Sequence, residues 1–122
     1  MSATQKRQVE AELERAGWRV AARDVPTSDP WWIDELWEIE SEWSPRGARA
    51  FVTFLVDPQG PVDRKAGEYV HAVAITRHRP QIEAEAGPKV FLRPRWESRN
   101  VQELVTHIEA LRASPTEGAG QQ

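Results

Sequence analysis

The sequence predicts an α+β fold, with an N-terminal helix, a four- to five-stranded antiparallel meander sheet, and a C-terminal helix packed on one sheet face. Helical periodicity marks both ends of the chain, and alternating patterns separated by turn signals fill the middle. With 122 residues, 39% apolar and 29% charged, the chain has the size and composition of one globular domain. We expect a single domain over 1–113 and a flexible tail over the small, polar residues 114–122.

The first predicted helix covers residues 3–16. Val9, Leu13 and Ala16 follow the i, i+4, i+7 spacing of one helical stripe, and Gly17 suits a helix end. The first strand is expected next, because the stretch WRVAARDV alternates between apolar and polar residues. The turn-rich stretch PTSDP closes this strand.

The second strand is predicted in the segment WWIDELWEIESEWSP, which holds four of the six tryptophans and no basic residue. Alternate residues of a strand share one face, so this segment has a mostly apolar face and an acidic face expected to meet water. The apolar face takes Trp31, Ile33, Glu35, Trp37, Ile39, Ser41 and Trp43, and the acidic face takes Trp32, Asp34, Leu36, Glu38, Glu40 and Glu42.

A hairpin is expected after this strand, because residues 44–47, SPRG, form a type I turn signal. The stretch ARAFVTFLVD then returns as the third strand. With a loop of these four residues, Trp43 pairs with Ala48, and counting back pairs Trp37 with Phe54. This register places the apolar faces of the two strands on the same side of the sheet.

The fourth strand, EYVHAVAITRH, has two admissible registers. In one register, the even-numbered residues, which are small, lie on the Trp37 face. The outer face then has an apolar patch that a helix or a second copy of the chain would have to cover. The other needs a one-residue bulge and buries larger residues; we favour this one. The small set is Val70, Ala72 and Ala74, and the large set is Tyr69, His71, Val73 and Ile75.

The last two elements are a short edge strand in KVFLRP, between Pro88 and Pro94, and the C-terminal helix. Asn100 and Glu103 have capping-box-like spacing at the start of this helix. Its apolar stripe is formed by Val101, Leu104, Val105, Ile108 and Leu111.

Composition excludes several function classes. The net charge of -3 provides no large positive field for nucleic acid or an anionic membrane surface. The absence of cysteine removes disulfides and thiolate chemistry. No signal peptide or membrane-spanning run is seen, so we expect a cytoplasmic protein. Neither a metal-ligand spacing nor a glycine-rich nucleotide loop occurs, so we expect no metal and no cofactor.

Glu35 is the candidate for chemistry, since it is an acid on an apolar face between Ile33 and Trp37. Burial there would raise its pKa and suit it to general acid catalysis. The competing interpretation is structural: Glu35 lies near a strand end, close to the loop with Arg64 and Lys65, where a charged partner would suffice. We therefore expect that neither Glu35 nor any other residue is catalytic.

Partner binding is the function that the sequence favours. Trp32, Glu38 and Glu40 on the acidic face could hold a basic group of a partner protein against an aromatic ring. We therefore expect a small non-catalytic interaction or adaptor protein, which binds through this strand and the loop from Asp57 to Gly67. The alternative is a small-ligand-binding protein or enzyme with a pocket at the sheet end, lined by Glu35, Trp31, Trp37 and His71. A homodimer through the outer sheet face is a further expectation.

Overall fold

The computed structural model describes residues 3–25, 32–56, 70–87, 89–91 and 97–113, so the predicted tail at 114–122 lies outside the described residues. The predicted order of helix, strands and helix is confirmed, with one five-stranded antiparallel sheet in the meander order β1-β2-β3-β4-β5. The elements are α1 (Ala3–Arg15), β1 (Trp18–Asp24), β2 (Ile33–Ser41), β3 (Arg49–Val56), β4 (Val70–Thr76), a 3-10 helix (Glu83–Ala86), β5 (Lys89–Phe91) and α2 (Ser98–Ala113).

Both helices pack on one face of the sheet, here called the inner face, and bury their apolar stripes there. Trp37 and Phe54 meet edge to face at its centre, with ring centroids 4.8 Å apart. The favoured register of β4 is confirmed, because Val73 lies opposite Phe54 and Ile75 opposite Val52. The residues of the inner core are Val9, Leu13, Trp18, Trp37, Ile39, Ala50, Val52, Phe54, Val73, Ile75, Val90, Leu104, Ile108 and Leu111.

The predicted register of the β2–β3 hairpin is wrong by two residues, since Trp37 lies opposite Val52 and not Phe54. A turn does form at residues 44–47, with the Gly47 N–H donating to the Ser44 carbonyl at 2.9 Å. Glu42 and Trp43, however, leave the β3 ladder, because the Glu42 N–H donates to the carbonyl of Gly17, the residue that precedes β1, at 2.7 Å. A shift of two residues keeps side chains on their faces, so the apolar faces still coincide.

The first residues of β2 are also displaced from their predicted faces. Leu55 pairs with Ile33 while Phe54 pairs with Glu35, which leaves Asp34 as the extra residue of a β-bulge. Ile33 therefore lies on the face opposite Trp37, which corrects its predicted placement on the same side.

A second hydrophobic cluster lies on the outer face of the sheet and gathers Trp32, Ile33, Leu36, Leu55, Ala72, Ala74 and Ala86. Ala86 belongs to the 3-10 helix, so the chain after β4 folds back over this face. Arg79, near the start of that segment, reaches Asp24 of β1 at 3.0 Å. Part of the outer face is thus covered by the same chain, and a homodimer through that face stays a prediction.

The start of α2 differs from the predicted capping box at Asn100 and Glu103. Glu97 precedes the helix and its N–H donates to the Asn100 side-chain oxygen at 2.9 Å, so Asn100 lies in the first turn instead of before it. In the described part of the chain, no helix has the length and apolarity needed to cross a membrane.

Candidate functional site

The residues singled out by the sequence are not all described. Trp31 and the predicted binding loop from Asp57 to Gly67, which includes Arg64 and Lys65, lie outside the described residues. His71 lies in β4, at the irregularity between Val70 and Ala72, and its side chain is outside the described part of the structure. The four that remain fall into two places: Glu35 is at the bulged end of β2, and Trp32, Glu38 and Glu40 are on the outer face.

A cluster of charges joins α1 to the bulged end of β2. The Lys6 ammonium lies 2.9 Å from a carboxylate oxygen of Asp34 and 2.7 Å from one of Glu35. Adjacent residues of a regular strand point to opposite faces, so the bulge at Asp34 is what allows both carboxylates to reach one cation. Only 11 to 19% of each of these three side chains is exposed.

Two cation–π contacts extend this cluster into the inner core. Lys6 lies 5.2 Å from the ring centroid of Phe54, and the Arg23 guanidinium lies 4.6 Å from the ring of Trp37. Arg23 also contacts Glu10 of α1 at 2.8 Å. Helix α1 is therefore held on the sheet by two cations, each of which contacts an aromatic ring.

The pKa of Glu35 is lowered, contrary to what general acid catalysis requires. Burial by itself would raise this pKa, but hydrogen bonds from Lys6 and from the Trp37 indole N–H outweigh it, and the nearby positive charges of Lys6 and Arg23 add to them. The Trp37 bond is 2.7 Å long. Burial by itself would lower the pKa of Lys6, but its hydrogen bonds to Glu35 and Asp34 and the negative charges of these two carboxylates hold that pKa above its usual range. Glu35 thus finds its charged partner in Lys6.

Sequence reasoning missed Lys6, although a signal was present. Lys6, Val9 and Leu13 are spaced i, i+3 and i+7, so Lys6 lies on the apolar stripe of α1. A basic residue on a buried stripe needs an acidic partner, and Glu35 is the acid on the facing strand.

The outer face of β1, β2 and β3 carries a ladder of ion pairs. Arg19, Glu40 and Arg49 form one row across the three strands, with the carboxylate between two guanidiniums. Arg19 contacts Glu40, and Arg49 contacts both Glu38 and, at 3.5 Å, Glu40. These four residues are called the arginine face below.

The arginine face presents its cations outward. The side chains of Arg19 and Arg49 are 59% and 58% exposed, whereas those of Glu40 and Glu38 are 18% and 27% exposed. The guanidiniums are therefore the charged groups of this face that lie nearest to solvent. Trp32, which the sequence placed beside these acids in water, is only 6% exposed and belongs to the outer hydrophobic cluster.

A separate open cleft of about 570 Å³ lies between β5 and α2, away from the residues predicted for binding. One of its lining residues is Phe91, whose side chain is exposed and whose carbonyl accepts a hydrogen bond from the Asn100 side-chain amide at 2.9 Å. The other lining residues are polar: Arg99, Gln102, Glu103 and Thr106.

The described residues contain no group of three or more histidine or acidic side chains placed to hold a metal ion. Comparison of the chain with protein-family models, with curated proteins and with solved structures gives no match.

Proposed function

We propose that the protein is a non-catalytic interaction module that binds a protein partner through the arginine face. The observation that carries this proposal is the fixed arrangement of its ion pairs, in which two exposed guanidiniums are held by half-buried carboxylates of the central acidic strand. Glu38 and Glu40, predicted from the sequence as binding residues, thus act by orienting the arginines that meet the partner.

Preorganisation supports this role. An exposed arginine pays a large entropy cost when a partner immobilises it, and an existing ion pair reduces that cost because the guanidinium is already held. Arginine is also enriched at protein interfaces and in their energetic hot spots. Isolated surface ion pairs contribute little to folding stability, so stability alone is a weak reason for such a ladder.

The contrast with the Lys6 cluster favours this choice of surface. There the carboxylates of Asp34 and Glu35 bind a cation of the chain itself, and Trp37 is 1% exposed, so these groups meet one another instead of a partner. A small-ligand pocket at this end of the sheet stays a prediction, because Trp31 and the Arg64–Lys65 loop lie outside the described residues.

Site-specific photo-crosslinking in lysate of the source organism tests the proposal. Ala22 is exposed, lies opposite Glu38 on β1 and is replaced by the photoreactive residue benzoylphenylalanine. Ala110, which is exposed on α2, receives the same replacement as the matched control. We expect a protein adduct at position 22 that does not form at position 110.

The dependence on the arginines completes this test. Arg19→Gln together with Arg49→Gln removes both guanidiniums while keeping long polar side chains, and the adduct at position 22 should then be lost. Equal adducts at both positions, or an adduct indifferent to the two arginines, would remove the proposal. A thermal melt of each variant shows that the fold persists.

A further inference from the structure

We infer that the arginine face takes an acidic segment of the partner protein, the reverse of the basic partner that an acidic strand suggests. This inference rests on the proposed function and adds the charge of the partner. It follows from the exposed fractions: both arginines are more than half exposed, and both glutamates are less than one third exposed. An approaching peptide meets guanidinium groups first.

The row across the strands places the positive charges of the arginine face outermost, although its two arginines and two glutamates together carry no net charge. Glu40 is one carboxylate between Arg19 and Arg49, so the row holds two positive charges for one negative charge. Glu38 offsets this excess only from a less exposed position, against Arg49. Along the direction perpendicular to the sheet, the positive charges therefore lie outside the negative ones. The outer positive charges attract carboxylates.

The guanidinium group has the hydrogen-bonding capacity for a second acid. It carries five N–H donors in a planar fork, and the contact of Arg19 with Glu40 uses Nη2. A partner carboxylate can therefore bind the same arginine without breaking the internal pair. Two arginines on strands that flank β2 lie about 10 Å apart across the sheet, from the usual strand spacing, so an extended segment with several acids can contact both.

The net charge of the whole chain has the sign opposite to that of the outer arginines, so it helps to distinguish local binding from general attraction. The whole chain carries a net charge of -3, so general attraction favours a basic peptide over an acidic one. Binding of an acidic peptide must therefore come from a local arrangement. The arginine face is such an arrangement, and its ion pairs can be exchanged without altering the total charge.

The experiment is a pair of NMR titrations of the full chain. One probe is a twelve-residue peptide of alternating Glu and Ser, and the other is its Lys and Ser counterpart, both with blocked termini. We expect the acidic peptide to bind at least about tenfold more tightly, and binding to weaken with added salt. The shifts should include the Nε–H signals of Arg19 and Arg49.

The matched variant exchanges the signs of the two layers through Arg19→Glu with Glu40→Arg and Arg49→Glu with Glu38→Arg. It keeps the net charge and the opposite-sign neighbours but places the glutamates at the outer positions. We expect it to lose the preference for the acidic peptide. If it does not fold, the uncharged Arg19→Gln with Arg49→Gln variant takes its place, and the same loss is expected.

The outcomes separate this inference from the proposed function. If the basic peptide binds the arginine face more tightly, the inferred charge is wrong while the face remains a binding surface. If the acidic peptide shifts other residues, such as those of the β5–α2 cleft, or shifts none, the inference is overturned as well. The crosslink at Ala22 then decides independently whether the face contacts a partner.

Discussion

Asp34 and Glu35, adjacent residues of one strand, direct their carboxylates to the same ammonium group, that of Lys6, at 2.9 and 2.7 Å. A regular strand would send one of them to the opposite face. The β-bulge at Asp34 removes this restriction and simultaneously moves Ile33 to the outer cluster. One irregularity thus anchors α1 and supplies an apolar residue to the outer face.

Replacement of Lys6 tests this anchor. Lys6→Met keeps a flexible apolar side chain against Phe54 but leaves Asp34 and Glu35 without their cation, so we expect the free energy of unfolding to fall by about 1–3 kcal/mol. Arg7→Met is the control, because Arg7 is exposed on the same helix, and it should cost less than about 0.5 kcal/mol. Urea unfolding at neutral pH measures both values, and similar losses would argue against the anchor.

The lowered pKa of Glu35 predicts a specific dependence of stability on pH. The folded carboxyl binds its proton more weakly than the unfolded one, whose ordinary pKa is 4.5, so unfolding takes up protons. The stabilisation is therefore full above about pH 5.5 and is lost as the pH falls through the folded pKa.

Glu35→Gln should be less stable than the wild type at pH 7 and approach it towards pH 3, as measured by urea unfolding across that range. Glu14→Gln, which removes an exposed carboxylate of α1, is the control measured over the same pH range. A constant difference between Glu35→Gln and wild type at every pH would show that the carboxylate charge is not what stabilises the fold.

Gly17 is required at the end of α1 for two reasons that can be separated. Its φ is +89°, and a Cβ there would lie 2.6 Å from Cδ1 of Trp43. Gly47 also has a positive φ, +63°, but the nearest atom to an added Cβ is a Glu40 oxygen at 3.9 Å.

We expect Gly47→Ala to cost about 1 kcal/mol of unfolding free energy, from the backbone conformation alone. Gly17→Ala should cost about 1–2 kcal/mol more and change the tryptophan fluorescence, because the Trp43 ring must move. Equal costs for the two substitutions would indicate that Trp43 yields without strain.

Trp32 provides a test that distinguishes packing from binding. Because its side chain is 6% exposed in the outer cluster, Trp32→Ala should lower the free energy of unfolding by about 3–5 kcal/mol. Ile82→Ala, at a residue that is 57% exposed, should cost less than about 1 kcal/mol. Full stability of the Trp32 variant would restore this residue as a surface candidate. Partner-binding variants should therefore leave Trp32 unchanged.

Periodicity and turn chemistry were sufficient to predict the two helices, the antiparallel meander and the inner placement of Trp37 and Phe54. They also predicted which residues of β4 face the core, because burying Val73 and Ile75 removes more apolar surface than burying alanines. These features depend on which face a residue occupies. The face of a residue is determined by its parity along the strand, and the sequence carries that parity directly.

The tertiary structure decided the features that the alternation of side chains along a strand does not specify. A shift of two residues leaves every side chain on its face, so the β2–β3 register depended on the bond between Glu42 and the Gly17 carbonyl, two residues far apart in the chain. The bulge at Asp34 and the order of charges on the arginine face likewise depend on neighbouring elements. Alternation showed that β2 is acidic, but only the adjacent strands place Arg19 and Arg49 over its carboxylates, and that contact determines the charge a partner meets.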